Sequence, residues 1–239
     1  RDILIIVNEN QSKIFKTLLG DGSQFGVKLK YAIQKKPNGI AESLIIGKNF
    51  IKTDSVALIL GDNIFYGQDL YKLIKTTDIN NGATIFLYQV KNASQYGVAE
   101  FKNNKIYSIA EKPKKPKSNL AVTGLYIYDN KVIDLVKKLK PSKRGELEIT
   151  DLNNIYAKKG KLNYVELQNP SVWFDAGTPA SLLLASQYIQ AIQDRNNILI
   201  SSPEEISYKN KFISKKQLQS LLSKKTINQY YHNLKNLIK

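Results

Sequence analysis

Two isolated aspartates are the strongest candidates for chemistry in this sequence. Asp62 follows the apolar run 55–60 and a glycine, so it stands where a predicted buried strand ends. In an open α/β sheet, ligands bind in the crevice at the carboxyl ends of the strands. Asp175 follows the only tryptophan of the chain, Trp173, and precedes a second glycine at position 177. Each carboxylate is therefore a candidate metal or ligand contact. The alternative is that Asp62 and Asn63 only form a turn and that Asp175 caps the next helix.

The composition restricts the metal that such carboxylates would bind. The chain has no cysteine and one histidine, His232, which excludes thiolate zinc sites and cysteine nucleophiles and argues against a histidine-based triad. Any metal ligands must then be oxygen atoms, which favours a hard cation such as Mg²⁺. Two aspartates from separate strands suit an Mg²⁺ ion held by few protein ligands and by substrate phosphates. Their spacing alone does not show that they converge.

Two loops contain residue types that bind nucleotides or sugars. Residues 34–42 connect a strand to a helix and include Gly39, so their backbone N–H groups could hold a base or a phosphate. An ordinary Pro-Asn-Gly turn explains this segment equally well. The loop that begins at Glu111 and Lys112 places an acid for sugar hydroxyls beside a cation for a phosphate, and a proline follows. Lysine is abundant throughout the chain, so a solvated basic loop is the alternative.

Charge and hydropathy narrow the classes of partner. The net charge is +16, but only three of the 36 basic residues are arginines and the lysines are spread along the chain. We therefore expect an anionic substrate rather than nucleic acid. No apolar run approaches the roughly 20 residues that span a bilayer, and no leader pattern is visible, so we expect a cytoplasmic protein without membrane association. The chain lacks methionine and enters a strand directly after Arg1, which is typical of an internal segment.

The pattern of elements predicts an α/β fold. In the first half, strands are predicted at 2–7, 28–34, 55–60 and 83–90, and helices at 12–19, 40–48 and 69–76. This alternation favours parallel pairing with right-handed crossovers. A hairpin at 97–101 and 105–110, strands at 120–128 and 161–167, and helices at 130–139 and 147–159 follow. The last third reads as helices at 180–194, 212–222 and 227–238, with 201–205 as a connector.

Seven ordered segments carry a resemblance to a known family. They are LGDGSQ at 19–24, LGDNIFYG at 60–67, YGV at 96–98, EKP at 111–113, VTGLY at 122–126, RGELEITD at 144–151 and FDAGT at 174–178. Together they resemble the sugar nucleotidylyltransferases, and specifically the short thymidylyl-transferring branch, from the first residue to the last. The resemblance implies a Rossmann-like nucleotidyltransferase sheet flanked by helices, with a small β-hairpin insertion and a C-terminal helical segment. It divides the chain into a core at 1–200 and a helical extension at 201–239 that packs on the core.

The same resemblance implies an activity and a set of site residues. The reaction would transfer a thymidylyl group from dTTP to glucose 1-phosphate, giving dTDP-glucose and pyrophosphate. It would require Mg²⁺, and the full-length protein would be a homotetramer. Asp62 and Asp175 would be the Mg²⁺ ligands, and Lys112 and Arg144 would be catalytic contacts to the sugar phosphate. The implied substrate-binding residues are Gln34 and Gly39 for thymine, Asn63 beside the sugar nucleotide, Gly97, Glu111 and Val122 for glucose, and Tyr126.

One departure from the family pattern affects what we expect of this segment. The family's opening strand and Gly-rich loop, which wraps the triphosphate and supplies a catalytic arginine and lysine, has no counterpart in the sequence. We therefore expect the segment expressed alone to be inactive and prone to aggregation. The alternatives are a nucleotidylyltransferase with another base or sugar preference, a glycosyltransferase, or a non-catalytic remnant that binds sugar nucleotides.

Overall fold

The structure, a computed structural model, describes residues 1–67, 70–78, 81–223 and 228–237. Within that part of the chain the strands are β1 (Asp2–Val7), β2 (Lys28–Ile33), β3 (Val56–Ile59), β4 (Asn63–Tyr66), β5 (Ala83–Gln89), β6 (Gly97–Lys102), β7 (Lys105–Glu111), β8 (Leu120–Tyr128), β9 (Leu162–Leu167) and β10 (Val172–Asp175). The α-helices are α1 (Glu9–Leu19), α2 (Glu42–Ile46), α3 (Lys48–Ile51), α4 (Leu70–Thr76), α5 (Val132–Val136), α6 (Ile149–Lys158), α7 (Pro179–Asn196), α8 (Pro203–Lys209), α9 (Lys215–Ser223) and α10 (Gln229–Asn236).

The chain forms two compact units, one made of Arg1–Lys36 with Ser186–Lys239 and the other of Pro37–Ala185. The second unit contains a six-stranded sheet with the order β7-β6-β8-β5-β9, in which β3 also pairs with β8. The fold is α/β, as the sequence predicts. The parallel pairing expected for the first half is confirmed for β1 and β2 but is wrong for β3, because β8 lies between β3 and β5 and is antiparallel to both. Only β5 and β9 are parallel neighbours in this sheet.

Both faces of this sheet are covered by helices, as alternating apolar residues require. On one face, a cluster that includes Ile85, Leu87 and Tyr128 packs with the apolar sides of α2, α5 and α6. On the other face, Phe86, Leu125 and Ile127 pack with Leu70, Leu73 and Ile74 of α4. The odd and even residues of β5 thus pack into different clusters, and this alternation fixes the register of β5 in the sheet.

A second, two-stranded sheet in the same unit pairs β4 with β10 in antiparallel register, with Asp175 opposite Asn63. Neither strand is predicted from the sequence. Each has only four residues, and β4 begins directly at Asn63, which reads as a turn residue. The pairing brings the segment after β3 beside the FDAGT segment, so it determines where both candidate aspartates lie.

The other unit is described by itself. Here β1 and β2 pair in parallel, and Asn8 caps α1, because its side chain accepts a hydrogen bond from the backbone N–H of Gln11 at 2.9 Å. The connector predicted at 201–205 is wrong for 203–205, because Ser202 caps α8 and Pro203 occupies its first turn, an arrangement that favours helix initiation. Positions 69, 227 and 238, where predicted helices begin or end, lie outside the described residues. No helix among the described residues has the length and apolarity needed to cross a membrane.

Candidate active site

The two candidate carboxylates converge. Asp62 lies in the turn between β3 and β4, and its backbone carbonyl accepts a hydrogen bond from the Ala176 N–H at 2.7 Å. Asp175 ends β10, and its Oδ1 accepts the Gly177 N–H at 3.0 Å. A Cβ atom built on Gly177 would lie 3.0 Å from Asp175 Oδ1 and 3.4 Å from Asp62 Oδ2. Oxygens of both carboxylates therefore border the same small space beside Gly177.

This space suits a hard divalent cation. Its donors are carboxylate oxygens, the ligand type that Mg²⁺ prefers, and Mg²⁺ commonly keeps several positions for water and substrate phosphates. The described residues contain no group of three or more His, Cys, Asp or Glu side chains that could hold a metal. A metal ion that also binds a substrate phosphate needs few protein ligands, and two carboxylates would leave its other coordination positions open. The role of Asp62 and Asp175 as Mg²⁺ ligands stays a prediction.

Asn63 lies against the Asp62 carboxylate. Its Nδ2 donates to Asp62 Oδ1 at 2.8 Å. Its Oδ1 accepts two hydrogen bonds, from the Gly124 N–H at 2.8 Å and from the Trp173 indole Nε1–H at 2.7 Å. A Cβ atom on Gly124 would lie within 2.7 Å of the Asn63 amide atoms, so only glycine leaves room for this side chain. Whether Asn63 also contacts a sugar nucleotide stays a prediction.

A second polar corner forms where β6 meets the end of β7. Gly97 and Glu111 are cross-strand partners, and Thr150 Oγ1 donates to Glu111 Oε2 at 2.7 Å. A Cβ atom on Gly97 would lie 3.3 Å from the same oxygen, so the missing side chain leaves the carboxylate accessible. The structure thus brings together two of the residues predicted to bind glucose. It adds Thr150, which anchors the acid.

Tyr126 lies within electrostatic range of both Glu111 in this corner and Asp62. Burial raises the pKa of the Tyr126 hydroxyl, and the negative charges of Glu111 and Asp62 raise it further. The phenol therefore stays protonated and neutral between two carboxylates. Val122 packs against the same apolar cluster as Tyr126, on the strand β8 that carries both. Four predicted site residues, Gly97, Glu111, Val122 and Tyr126, consequently belong to one region of the second unit.

Aromatic rings form a wall beside Asp175. Trp173 meets Tyr96 edge to face, with ring centroids 5.3 Å apart, and Tyr88 in the same way at 6.0 Å. Burial raises the pKa of the Tyr96 hydroxyl, and the Asp175 charge adds to the effect. The Tyr96 backbone carbonyl also accepts the Lys112 N–H at 3.0 Å, with Lys112 in a left-handed backbone conformation at φ 42°. The side chain of Lys112 is exposed at the rim of this wall.

Three predicted contacts have a clear local role. Arg144 binds Glu148 through two nitrogens, with Nη2 3.0 Å from each carboxylate oxygen, and Glu148 raises the pKa of the guanidinium. Gly39 has φ +102°, and a Cβ there would approach the Leu147 carbonyl oxygen to 2.4 Å, so backbone packing alone requires a glycine. Gln34 belongs to the other unit, where its N–H donates to the Val7 carbonyl at 2.9 Å. Their roles toward substrate stay predictions.

The interpretation of the sequence assigns no role to Thr150 or Gly124, although both stand inside the segments that carry the resemblance. Thr150 is buried in the first turn of α6 and reads as a helix-start residue. Gly124 lies inside the apolar strand β8. A glycine within a strand often marks a close approach of another group, and that signal could have identified Gly124.

Comparison with known proteins gives a consistent result. A protein-family model described as "Nucleotidyl transferase" matches residues 1–192. A glucose-1-phosphate thymidylyltransferase of Neisseria meningitidis serogroup A is 46% identical over 241 residues, which cover 100% of this chain and 84% of that protein. The protein of the same name from Mycolicibacterium smegmatis is 45% identical over 239 residues, covering 100% of this chain and 83% of its own length.

Solved structures agree with this result. A crystal structure from Bacillus anthracis, described as a glucose-1-phosphate thymidylyltransferase in complex with sucrose, has 41% identity and a TM-score of 0.73, and the match covers 84% of this chain and 78% of that one. A UDP-glucose pyrophosphorylase bound to UDP-glucose has 22% identity and a TM-score of 0.63, with 79% and 80% covered, and this similarity concerns the fold alone.

Proposed function

This chain belongs to the nucleotidyl transferase family, and because its relatives over the whole length are glucose-1-phosphate thymidylyltransferases, we propose that it forms dTDP-glucose and pyrophosphate from dTTP and α-D-glucose 1-phosphate. The observation that carries the proposal is the convergence of Asp62 and Asp175 beside Gly177. A carboxylate pair of this kind suits transfer between two phosphate-bearing substrates, and the family model covers residues 1–192, which include both aspartates.

The chemistry requires positioning more than proton transfer. A phosphate monoester has a second pKa of about 6, so the oxygen of glucose 1-phosphate is already an anionic nucleophile at neutral pH. That oxygen attacks the α-phosphorus of dTTP in line, a new P–O bond forms, and the bond to pyrophosphate breaks. The protein must align the two phosphates and compensate their charge. A site without cysteine, in a chain with one histidine, is therefore sufficient.

Two groups of residues would handle the phosphates. Asp62 and Asp175 would hold Mg²⁺, which when bound neutralises negative charge on the reacting phosphates. Lys112, exposed at the start of the basic loop, would contact the sugar phosphate. Arg144 would serve the same substrate, and it would first have to exchange its hydrogen bonds to Glu148 for bonds to a phosphate.

A third group would recognise the sugar and the base. The Glu111 carboxylate, which accepts a hydrogen bond from Thr150, would accept hydrogen bonds from glucose hydroxyls, and the lack of a side chain at Gly97 would leave space for the sugar ring. Val122 and Tyr126 would line the same pocket, with Asn63 beside the sugar nucleotide. Gly39 would contact the thymine. The protein would act as a cytoplasmic homotetramer in dTDP-sugar synthesis, such as the route to dTDP-rhamnose.

A substrate panel tests this assignment. The purified full-length protein is incubated with Mg²⁺, glucose 1-phosphate and each of dTTP, UTP, CTP, ATP and GTP, and both pyrophosphate and the nucleotide sugar are quantified. We expect the highest kcat/KM with dTTP. A higher value with another nucleotide, or binding of dTDP-glucose without any turnover, would replace the proposal with one of the alternatives. Sugar transfer to an acceptor without pyrophosphate would indicate a glycosyltransferase.

A further inference from the structure

The orientation of the Asn63 amide is fixed by its surroundings. The Gly124 N–H and the Trp173 Nε1–H can only donate hydrogen bonds, and both point at the same side-chain atom of Asn63. That atom must therefore be the carbonyl oxygen. The NH₂ group is consequently turned toward Asp62 Oδ1, to which it donates at 2.8 Å.

The two carboxylate oxygens of Asp62 therefore have different partners. Oδ1 is occupied by the Asn63 amide, whereas Oδ2 borders the space beside Gly177 that Asp175 Oδ1 also borders. A carboxylate on a short turn would otherwise rotate freely between several positions. Because one oxygen is held, the other is aimed at the space shared with Asp175.

The anchors of the amide are rigid. Trp173 is 7% exposed, and its ring is held between Tyr88 and Tyr96. Gly124 is an interior residue of β8, the strand that pairs with β3, β5 and β6. The Asn63 side chain thus makes hydrogen bonds to both the six-stranded sheet and the β4–β10 pair. The positions of these two sheets therefore determine where the Asn63 amide holds the Asp62 carboxylate.

We propose that Trp173 and Asn63 are positioning residues for the metal: the indole N–H holds the Asn63 amide, and the amide aims Asp62 Oδ2 at the ion. The proposal rests on the proposed function, in which Asp62 and Asp175 hold the divalent cation. Groups that orient a metal ligand through hydrogen bonds typically affect metal affinity by about 10- to 100-fold.

The test measures Mn²⁺ binding directly, from the electron paramagnetic resonance signal of free Mn²⁺, on purified protein without turnover. Trp173→Phe removes the indole donor and keeps an aromatic ring between Tyr88 and Tyr96. We expect it to weaken Mn²⁺ binding about tenfold. The matched control is Tyr88→Phe, which removes a hydroxyl from a ring of the same cluster and leaves the partners of the three Asn63 amide hydrogen bonds unchanged. It should leave the Mn²⁺ affinity unchanged.

A second pair of variants approaches the amide from the opposite side. Gly124→Ala would place its Cβ 2.5 Å from Asn63 Cγ, and the three nearest atoms all belong to the Asn63 side chain. The alanine should therefore displace the amide and weaken Mn²⁺ binding by about tenfold or more. In an Asn63→Ala background the obstacle is absent, so the same alanine should cost no more than about twofold further. Equal losses in both backgrounds would contradict the proposal.

Asp62→Asn separates a failure of the metal assignment from a failure of the positioning role. If this variant binds Mn²⁺ as the unmodified protein does, the metal assignment in the proposed function is wrong. If it abolishes binding while Trp173→Phe and Gly124→Ala leave the affinity unchanged, only the positioning role is refuted. Thermal melting of every variant verifies folding, and Trp173→Phe keeps the test decisive if the Gly124 variants do not fold.

Discussion

The hydrogen bond between Thr150 and Glu111 gives the sharpest prediction about sugar binding. Thr150→Val replaces the hydroxyl by a methyl group of similar size, at a position only 8% exposed. The Glu111 carboxylate then loses the donor that lies 2.7 Å from its Oε2. We expect the acid to become less ordered where it should meet the glucose hydroxyls, so glucose 1-phosphate should bind more weakly.

The size of the effect follows from the environment of the bond. A hydrogen bond to a charged group contributes about 1.5–3 kcal/mol. Glu111 is exposed, so water can partly replace the lost donor and the lower end applies. About 1.4 kcal/mol corresponds to a tenfold change in an equilibrium constant. The KM for glucose 1-phosphate should therefore rise about tenfold, with a smaller change in kcat.

The assay is pyrophosphate release at saturating dTTP over a range of glucose 1-phosphate concentrations. Thr150→Ser is the matched control, because it keeps the hydroxyl and loses only a methyl group. It should retain a KM close to that of the unmodified protein. An unchanged KM in Thr150→Val, or an equal rise in Thr150→Ser, would refute the reasoning.

Two further predictions concern the metal space and the buried tyrosines. Gly177→Ala places a methyl group between Asp175 Oδ1 and Asp62 Oδ2. The Mg²⁺ concentration for half-maximal activity should therefore rise about tenfold. An unchanged Mg²⁺ titration would contradict a metal position in this space. Burial raises the pKa of Tyr128 and Tyr156 above the ordinary 10.0, and for Tyr156 the hydrogen bond to Asp129 adds to the effect. The folded state therefore keeps protons that the unfolded chain loses, so the free energy of unfolding should be undiminished below about pH 10 and decrease above it. Urea unfolding across this pH range should show a shallower decrease in Tyr156→Phe, and an identical pH dependence would disprove the linkage.

The sequence predicts the main elements of the α/β fold because their patterns are local. The apolar strands that became β1, β5 and β8 need only their own residues to be recognised, and the predicted bounds of β1 and β8 match the structure. The turn at Asn103 and Asn104 is also local, and both residues adopt the positive φ values, 51° and 58°, that a tight hairpin requires.

What the sequence does not predict depends on distant partners. The strands β4 and β10 are too short to show a hydrophobic period. Each becomes a strand by pairing with a segment more than 100 positions away. The hydrogen bond from Trp173 to Asn63 likewise joins residues that are 110 positions apart. The antiparallel insertion of β8 between β3 and β5 is likewise a property of the whole sheet. Asp62 and Asp175 stand out by residue type, but only this pairing brings their oxygens to one place.

In the proposed function, Asp62 and Asp175 act together as the metal ligands for thymidylyl transfer. The test measures the rate of dTDP-glucose formation by the full-length protein in Asp62→Asn and Asp175→Asn, with Asp134→Asn, a change in an exposed carboxylate on α5, as the control. Charge stabilisation by a metal is worth several kcal/mol, so each active-site variant should lose at least about a hundredfold in kcat. The control should keep its full rate. An unchanged kcat in Asp62→Asn or Asp175→Asn would contradict the account.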